Sequence, residues 1–436
     1  MKKGKLLKIT AVLICLLTLT SCTAFNNNTD SLLLAPRQKE IYHIQQALEK
    51  SAGKDITLKY PTTGEYRSAF ILKDIDDDGD DEAFAFYSKT EEDAVTMNIN
   101  VITENDGNWI SRGNSSVVAG GIEKVTFSDL DGDGVLEIIV GWTIFGTVDK
   151  QLAVYSFDGV TLKKRALEKY SDFICGNITG DSNAELVVFG INISDKSATA
   201  RVFSLKSDSI DEIGSVQLDG GITSYQTPVI STLSDSRPAV YIDAAKGVGT
   251  ITEIIWFEKD VLTNIKRTNE EEENVTFRTT LATTQDFNND GVLNVPISQI
   301  LKSTEKNEDI DKVYVTNWSS FDGKSFKTEV TAFMNYSDGY YLTVSEKMLD
   351  KLYLARKIES KLRIFYLYDL KTETQGEEVF RIMAVDKENY KEEVYKGESY
   401  EVVYENDQFV YLIRTQQNNP IGMTNEILKS SFGILN

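Results

Sequence analysis

The densest chemistry in this sequence is carried by oxygen ligands. The stretch Asp129-Leu130-Asp131-Gly132-Asp133-Gly134-Val135-Leu136-Glu137 places carboxylates at positions 1, 3, 5 and 9 of a loop, with glycine at position 6. An oxygen-only set of this density suits a hard cation, and calcium takes roughly six to eight oxygens in a flexible geometry, a backbone carbonyl at position 7 among them. The expected ligands are therefore Asp129, Asp131, Asp133, the Val135 carbonyl and Glu137. Without a cation, four acids converging in so short a loop repel one another and take up protons.

The same loop recurs. Asp74, Asp76, Asp78, Asp80 and Glu82 occupy the ligand positions of an earlier copy, with Gly79 at the turn. A later copy offers Asp286, Asn288, Asp290, the Val292 carbonyl and Asn294, the last in place of an acid. Fewer charges mean weaker calcium binding there. The copy at Asn177 to Glu185 lacks acids at positions 1 and 3 and the position-6 glycine, and is expected to be a metal-free turn held by Asn and Thr hydrogen bonds. Extracellular calcium modules work at roughly 0.1 to 1 mM, so the expected cofactor is structural calcium, stabilising the fold by mass action.

Other chemistry is thin. His43 is the only histidine, so a Ser-His-Asp triad has one candidate base, placed on a predicted helix surface. Cys175, within Phe173-Ile174-Cys175, reads as a buried small hydrophobe. Gly247-Val248-Gly249 lacks the strand-to-helix setting of a phosphate loop. Trp109, Trp142, Trp256 and Trp318 fall on or beside predicted strands and are expected to pack the core. The expectation is a non-enzyme.

Spacing supplies the architecture. The four loops start at 74, 129, 177 and 286, separated by 55, 48 and 109 residues, and the doubled gap predicts a copy without ligands near Ser234-Asp235-Ser236-Arg237. Each loop leads into a short apolar run, such as Ile138-Ile139-Val140, then an alternating strand, then in three cases an Asp-Gly turn at 106–107, 158–159 or 322–323. Asp-Gly favours the positive φ values of a tight hairpin. Strand, acidic loop, two strands, turn, strand in about fifty residues is the pattern of a propeller blade.

Composition bounds the partners. With 46 basic and 67 acidic side chains, the net charge of −21 supplies no basic footprint for nucleic acid. At the N-terminus, Lys2, Lys3, Lys5 and Lys8 precede an apolar stretch from Ile9 to Thr20, followed by Ser21-Cys22. The order of charged, apolar and small residues is that of a signal peptide, and the ending resembles a bacterial lipobox. Residues 1–21 are expected to be removed, and Cys22 to carry the lipid that anchors the chain to the cell membrane on its extracytoplasmic face.

The repeat resembles the FG-GAP or VCBS repeat of integrin-type β-propellers, whose blades carry a DxDxDG calcium loop. The likeness spans roughly residues 66 to 333. Phe145-Gly146 and Phe189-Gly190 match its Phe-Gly pairs, and no Gly-Ala-Pro occurs. It implies a mainly β chain folded as a β-propeller, and about five such repeats are counted in this sequence. The expected layout is a signal peptide (1–21), a flexible tether (22–35), an N-terminal helix and strand (36–62), the propeller (63–333) and a C-terminal α+β domain (334–436), the last loosely similar to the Mog1/PsbP-like fold. The expected function is non-catalytic binding or adhesion to a surface protein or glycan. A carbohydrate-active or other hydrolytic enzyme with structural calcium is the rival expectation.

Overall fold

Tight turns punctuate the chain where Asp-Gly pairs stand. In the computed structural model, which describes residues 38–91, 94–147, 149–206, 209–265 and 274–435, Asp106 and Gly107 hold φ values of 51° and 79°. They join strand β4 (Ala94–Asn105) to β5 (Asn108–Val117). Both central residues of such a turn need positive φ, which is why the pair is Asp-Gly. The expected signal peptide, tether and Cys22 lie outside the described residues. No described helix is long and apolar enough to cross a membrane.

The fold is mainly β, and the described residues form six antiparallel sheets that follow one another along the chain. They divide into two compact units. The first unit holds helix α1 (Gln38–Ala52), β1 (Ile56–Leu58), β2 (Phe70–Lys73), β3 (Glu82–Glu91), β4 and β5. Ile44 and Leu48 of α1 are fully buried against Phe70, Ala83, Ala85 and Tyr87. The helix ends at Gly53, whose φ of 88° lets its amide reach the Glu49 carbonyl at 3.0 Å. Strand β1 adds to the far edge of β3.

The second unit carries the other five sheets. The second sheet runs β6 (Gly121–Ser128), β7 (Glu137–Thr143), β8 (Lys150–Phe157), β9 (Leu162–Tyr170), and the third β10 (Asp172–Gly176), β11 (Glu185–Asn192), β12 (Ser197–Lys206), β13 (Ser209–Leu218). The fourth is built on β14 (Ile222–Tyr225), β15 (Val229–Thr232), β16 (Pro238–Lys246), β17 (Gly249–Glu258) and β18 (Val261–Asn264). In the fifth, β19 (Val295–Ile300), β20 (Tyr314–Phe321), β21 (Phe326–Asn335) and β22 (Tyr340–Thr343) are completed by a strand from the chain end, Phe432–Ile434.

Central strands read as continuous apolar runs because both of their faces are covered. On β11, Leu186 and Val188 pack with Ile139 and Val154 of the second sheet, while Val187 and Phe189 pack with Val240 and Ile242 of the fourth. On β16, Ala239 and Tyr241 in turn face Val295 and Phe321 of the fifth sheet. A strand's side chains alternate between faces, so one apolar run feeds two successive cores. First strands also adjoin: β6 lies beside β10, and β10 beside β15.

The expected division at 333 falls inside β21. Beyond it, Leu352–Lys357, Leu362–Asp369, Thr374–Asp386, Phe409–Thr415 and Glu401–Glu405 form a sixth antiparallel sheet. Val315 and Phe333 of the fifth sheet share a core with Leu354, Phe365 and Phe380 of the sixth. Sequence pattern missed this continuity because the sixth sheet has no acidic loop, while the closing strand reaches β22 from about ninety residues downstream by a long-range pairing that local patterning does not encode.

Candidate functional site

Each acidic loop is a strand-to-strand connection closed by its own backbone. In the second sheet it links β6 to β7. There Asp129 accepts the Gly132 amide at 2.7 Å and the Gly134 amide at 3.1 Å, and Asp133 accepts the Val135 amide at 2.8 Å. Gly132 and Gly134 take φ values of 77° and 90°. Gly132 has a second reason to lack a side chain: a Cβ there would meet Asn183 of the neighbouring sheet's loop at 2.4 Å.

These turns converge the acids. Oxygens of Asp129, Asp131 and Glu137 lie within 4.8 Å of one another, as do those of Asp74, Asp76 and Asp78 in the first unit. No described Lys or Arg pairs with any of these residues, and one buried oxygen of Asp74 has no hydrogen-bond partner. A hard cation satisfies both conditions. Asp80, Glu82 and Asp133 stand outside the two groups. The Val135 and Val292 carbonyls accept no hydrogen bond from a described residue.

The ninth residue does something the pattern did not announce. Glu137 accepts the Leu130 amide at 2.9 Å, Glu185 the Ile178 amide at 2.9 Å, Glu82 the Ile75 amide at 3.3 Å and Asn294 the Phe287 amide at 2.9 Å. All four are buried. Each therefore clasps the second loop residue from below, which is why an amide serves at 294. Burial pushes the Glu137 carboxyl up to about 7, partly opposed by the Leu130 amide, with Asp131 and Asp133 adding repulsion. Glu82 is likewise pushed up to about 7, first by burial. Asp131 is raised by burial and by Asp133.

The other copies differ as their side chains require. At 286–294, Asp286 accepts the Asp290 and Gly291 amides at 3.0 and 2.8 Å, while the Asn288 amide donates to Asp290 at 2.8 Å. At 177–185, Asn177 donates to the Asp181 carbonyl, and the Thr179 hydroxyl donates to Glu185 at 3.1 Å, hydrogen bonds that close the loop from within.

Near Asp235 the chain supplies its own cation. The Arg237 guanidinium donates to Asp235 at 2.8 Å, to Glu258, and to the Asp322 carbonyl at 2.7 Å, so it binds the fourth sheet to the Asp322-Gly323 turn of the fifth. The sequence located this silent copy. Arg237, two residues after Asp235, was the signal for that replacement cation.

His43 is exposed on α1, in edge contact with Tyr42. Trp142, Trp256 and Trp318 are buried. Cys175 keeps some exposed surface, yet its thiol is desolvated and pushed up to about 12.

Serial antiparallel sheets with acid-bearing loops between their strands define the class: a mainly β protein of repeated sheets. No family model and no curated protein matches the sequence. Solved structures that resemble it include the periplasmic gluconolactonase of Pseudomonas aeruginosa, at 10% identity and a TM-score of 0.27, covering 72% of this chain and 85% of that one. The β-propeller domain of the Trilobed protease from Pyrococcus furiosus aligns at 10% identity and a TM-score of 0.28, over 73% and 89%. A putative 6-phosphogluconolactonase from Bacteroides fragilis aligns at 9% and 0.27, over 74% and 92%. The expectation of non-catalytic binding or adhesion is corrected at this point: these neighbours include a gluconolactonase and a putative lactonase, none is named for adhesion, and that reading is withdrawn. At such scores the likeness transfers no activity to this chain.

Proposed function

We propose that this chain is a calcium-binding repeat protein whose acidic loops take up structural calcium, and whose sheets are the blades of a β-propeller. The observation that carries the calcium reading is the convergence of Asp129, Asp131 and Glu137 oxygens within 4.8 Å without a basic partner. Asp74, Asp76 and Asp78 form the second strong site, and Asp286, Asn288, Asp290 and the Val292 carbonyl a weaker one. The Asn288 amide, now bonded to Asp290, must turn before its oxygen can face a cation. The propeller reading is supported by the two-faced burial of β11 and β16 and by the adjoining first strands.

In this reading calcium cross-links the two ends of each strand connection and removes the acid repulsion that otherwise loosens it. Lipidation of Cys22 would hold the protein on the extracytoplasmic face of a bacterial membrane, where calcium at about millimolar concentration keeps the loops loaded. The test is calorimetric titration with calcium, together with thermal melting in calcium and in chelator. Saturable binding, a higher Tm in calcium, and loss of much of that gain in Asp131→Ala are expected. An unchanged Tm at millimolar calcium overturns the reading. Mass spectrometry of the mature N-terminus tests the anchor: an unmodified Cys22 refutes it.

A further inference from the structure

A cavity of about 290 Å³ lies between the fifth and sixth sheets, away from every acidic loop. Part of its wall is aromatic and aliphatic, with Phe333 and Phe365 meeting edge to face at a centroid distance of 5.2 Å, and Thr280, Thr316, Asn335 and Ser337 line the rest. Against this apolar wall stand three polar groups that the fold leaves poorly satisfied. Arg363 is 7% exposed, yet its guanidinium makes only long contacts: 3.2 Å to Asp338, 3.3 Å to both Asn335 and Ser337, and 3.4 Å to the Leu362 carbonyl. Such distances lie at or beyond the long end of good hydrogen bonds. The hydroxyls of Tyr340, itself 3% exposed, and Tyr336 are buried beside Asn335 and Thr280 without a well-formed hydrogen bond.

Buried donors left weakly paired are costly, and two phenolic hydroxyls beside a guanidinium held only by long contacts are economical when something fills the cavity. A guanidinium with phenolic hydroxyls presents donors, which selects an acceptor-rich anion. The exposed Arg356 also lines the cavity, in a chain whose net charge is −21. The volume admits a single ring-sized body beside the anionic group.

We propose that this cavity is a binding site for a small aromatic or similarly apolar anion, a carboxylate or a phosphate monoester. The anionic group pairs with Arg363 and accepts from Tyr340 and Tyr336, and the apolar body packs on Phe333 and Phe365. The site is independent of calcium, since no lining residue belongs to an acidic loop.

Titration of the full chain with benzoate, phenyl phosphate, inorganic phosphate and benzyl alcohol, followed by calorimetry and ligand-observed NMR, tests this. Benzoate or phenyl phosphate is expected to bind saturably with a Kd of about a millimolar or tighter. Whichever of the two binds better identifies the anionic group. Arg363→Gln is expected to weaken binding about tenfold or more. Because that variant removes a buried ion pair and can fail to fold, Tyr340→Phe is the second arm. It deletes only a hydroxyl without a well-formed hydrogen bond, so its Tm stays nearly equal while affinity falls severalfold. The proposal is overturned if neither aromatic anion binds at about 10 mM. It is equally overturned if benzyl alcohol binds as well as benzoate, or if Tyr340→Phe binds with unchanged affinity.

Discussion

The Glu137 carboxylate accepts the Leu130 backbone amide at 2.9 Å across seven residues, and the same carboxylate reaches the oxygens of Asp129 and Asp131. One side chain thus serves as the clasp of a loop and as a candidate ligand, and substitution separates the two roles. Glu137→Gln keeps an acceptor for the Leu130 amide but removes the charge. Its stability in chelator should match or exceed that of the parent, with a smaller rise in Tm on adding calcium. Glu137→Ala leaves the amide buried and unpaired, costing roughly 1 to 3 kcal/mol in urea denaturation even in chelator.

Titration gives a second handle on the same loops. The Glu137 and Glu82 carboxyls are raised from 4.5 to about 7 in the folded, calcium-free chain. Between those values the folded state holds protons that the unfolded state has released. Calcium-free stability is therefore highest on the acid side of this window and falls as pH rises through it. Calcium binding should release protons near pH 6 and almost none near pH 9, with affinity increasing over that range. Calorimetry in buffers of different ionisation enthalpy measures the release. Equal proton counts at both pH values would contradict it.

In the fourth sheet the stakes are structural. Arg278, 1% exposed, pairs with Asp243 at 2.9 Å, and Asp243 also accepts from Thr252 and Thr284 at 2.6 and 2.9 Å. Asp243→Ala strands a buried guanidinium and should cost about 3 to 5 kcal/mol, read as a drop in the denaturation midpoint.

The Arg237 brace should behave as a metal substitute that calcium cannot replace. Arg237→Met removes the link to the Asp322 carbonyl and leaves Asp235 beside Glu258, with an expected loss of about 1 kcal/mol that added calcium does not restore. Gly323→Ala probes the same contact from the other side. Its φ of 88° is unfavourable for alanine, and the new Cβ would lie 2.2 Å from the Arg237 guanidinium.

Cys175 supplies a test of the packing. With its thiol pushed up to about 12, first by burial, the folded protein should resist an aromatic disulfide reagent at about pH 8 and react promptly in denaturant. Fast reaction of the native protein would show that β10 opens readily.

What the sequence alone determined is local. Asp106-Gly107 sets a hairpin because both residues tolerate positive φ, and acids at alternate positions converge in a loop because their spacing is fixed by a few bonds. The period of the loops also located the silent copy at Asp235. Tertiary structure decided the rest. Glu82, Glu137 and Glu185 became buried clasps because each begins a strand whose first residues are buried. Arg237 became a brace because the next sheet brings the Asp322 carbonyl to it. Arg363, Tyr336 and Tyr340 meet around one cavity only because two sheets pack face to face, and no local spacing encodes that meeting.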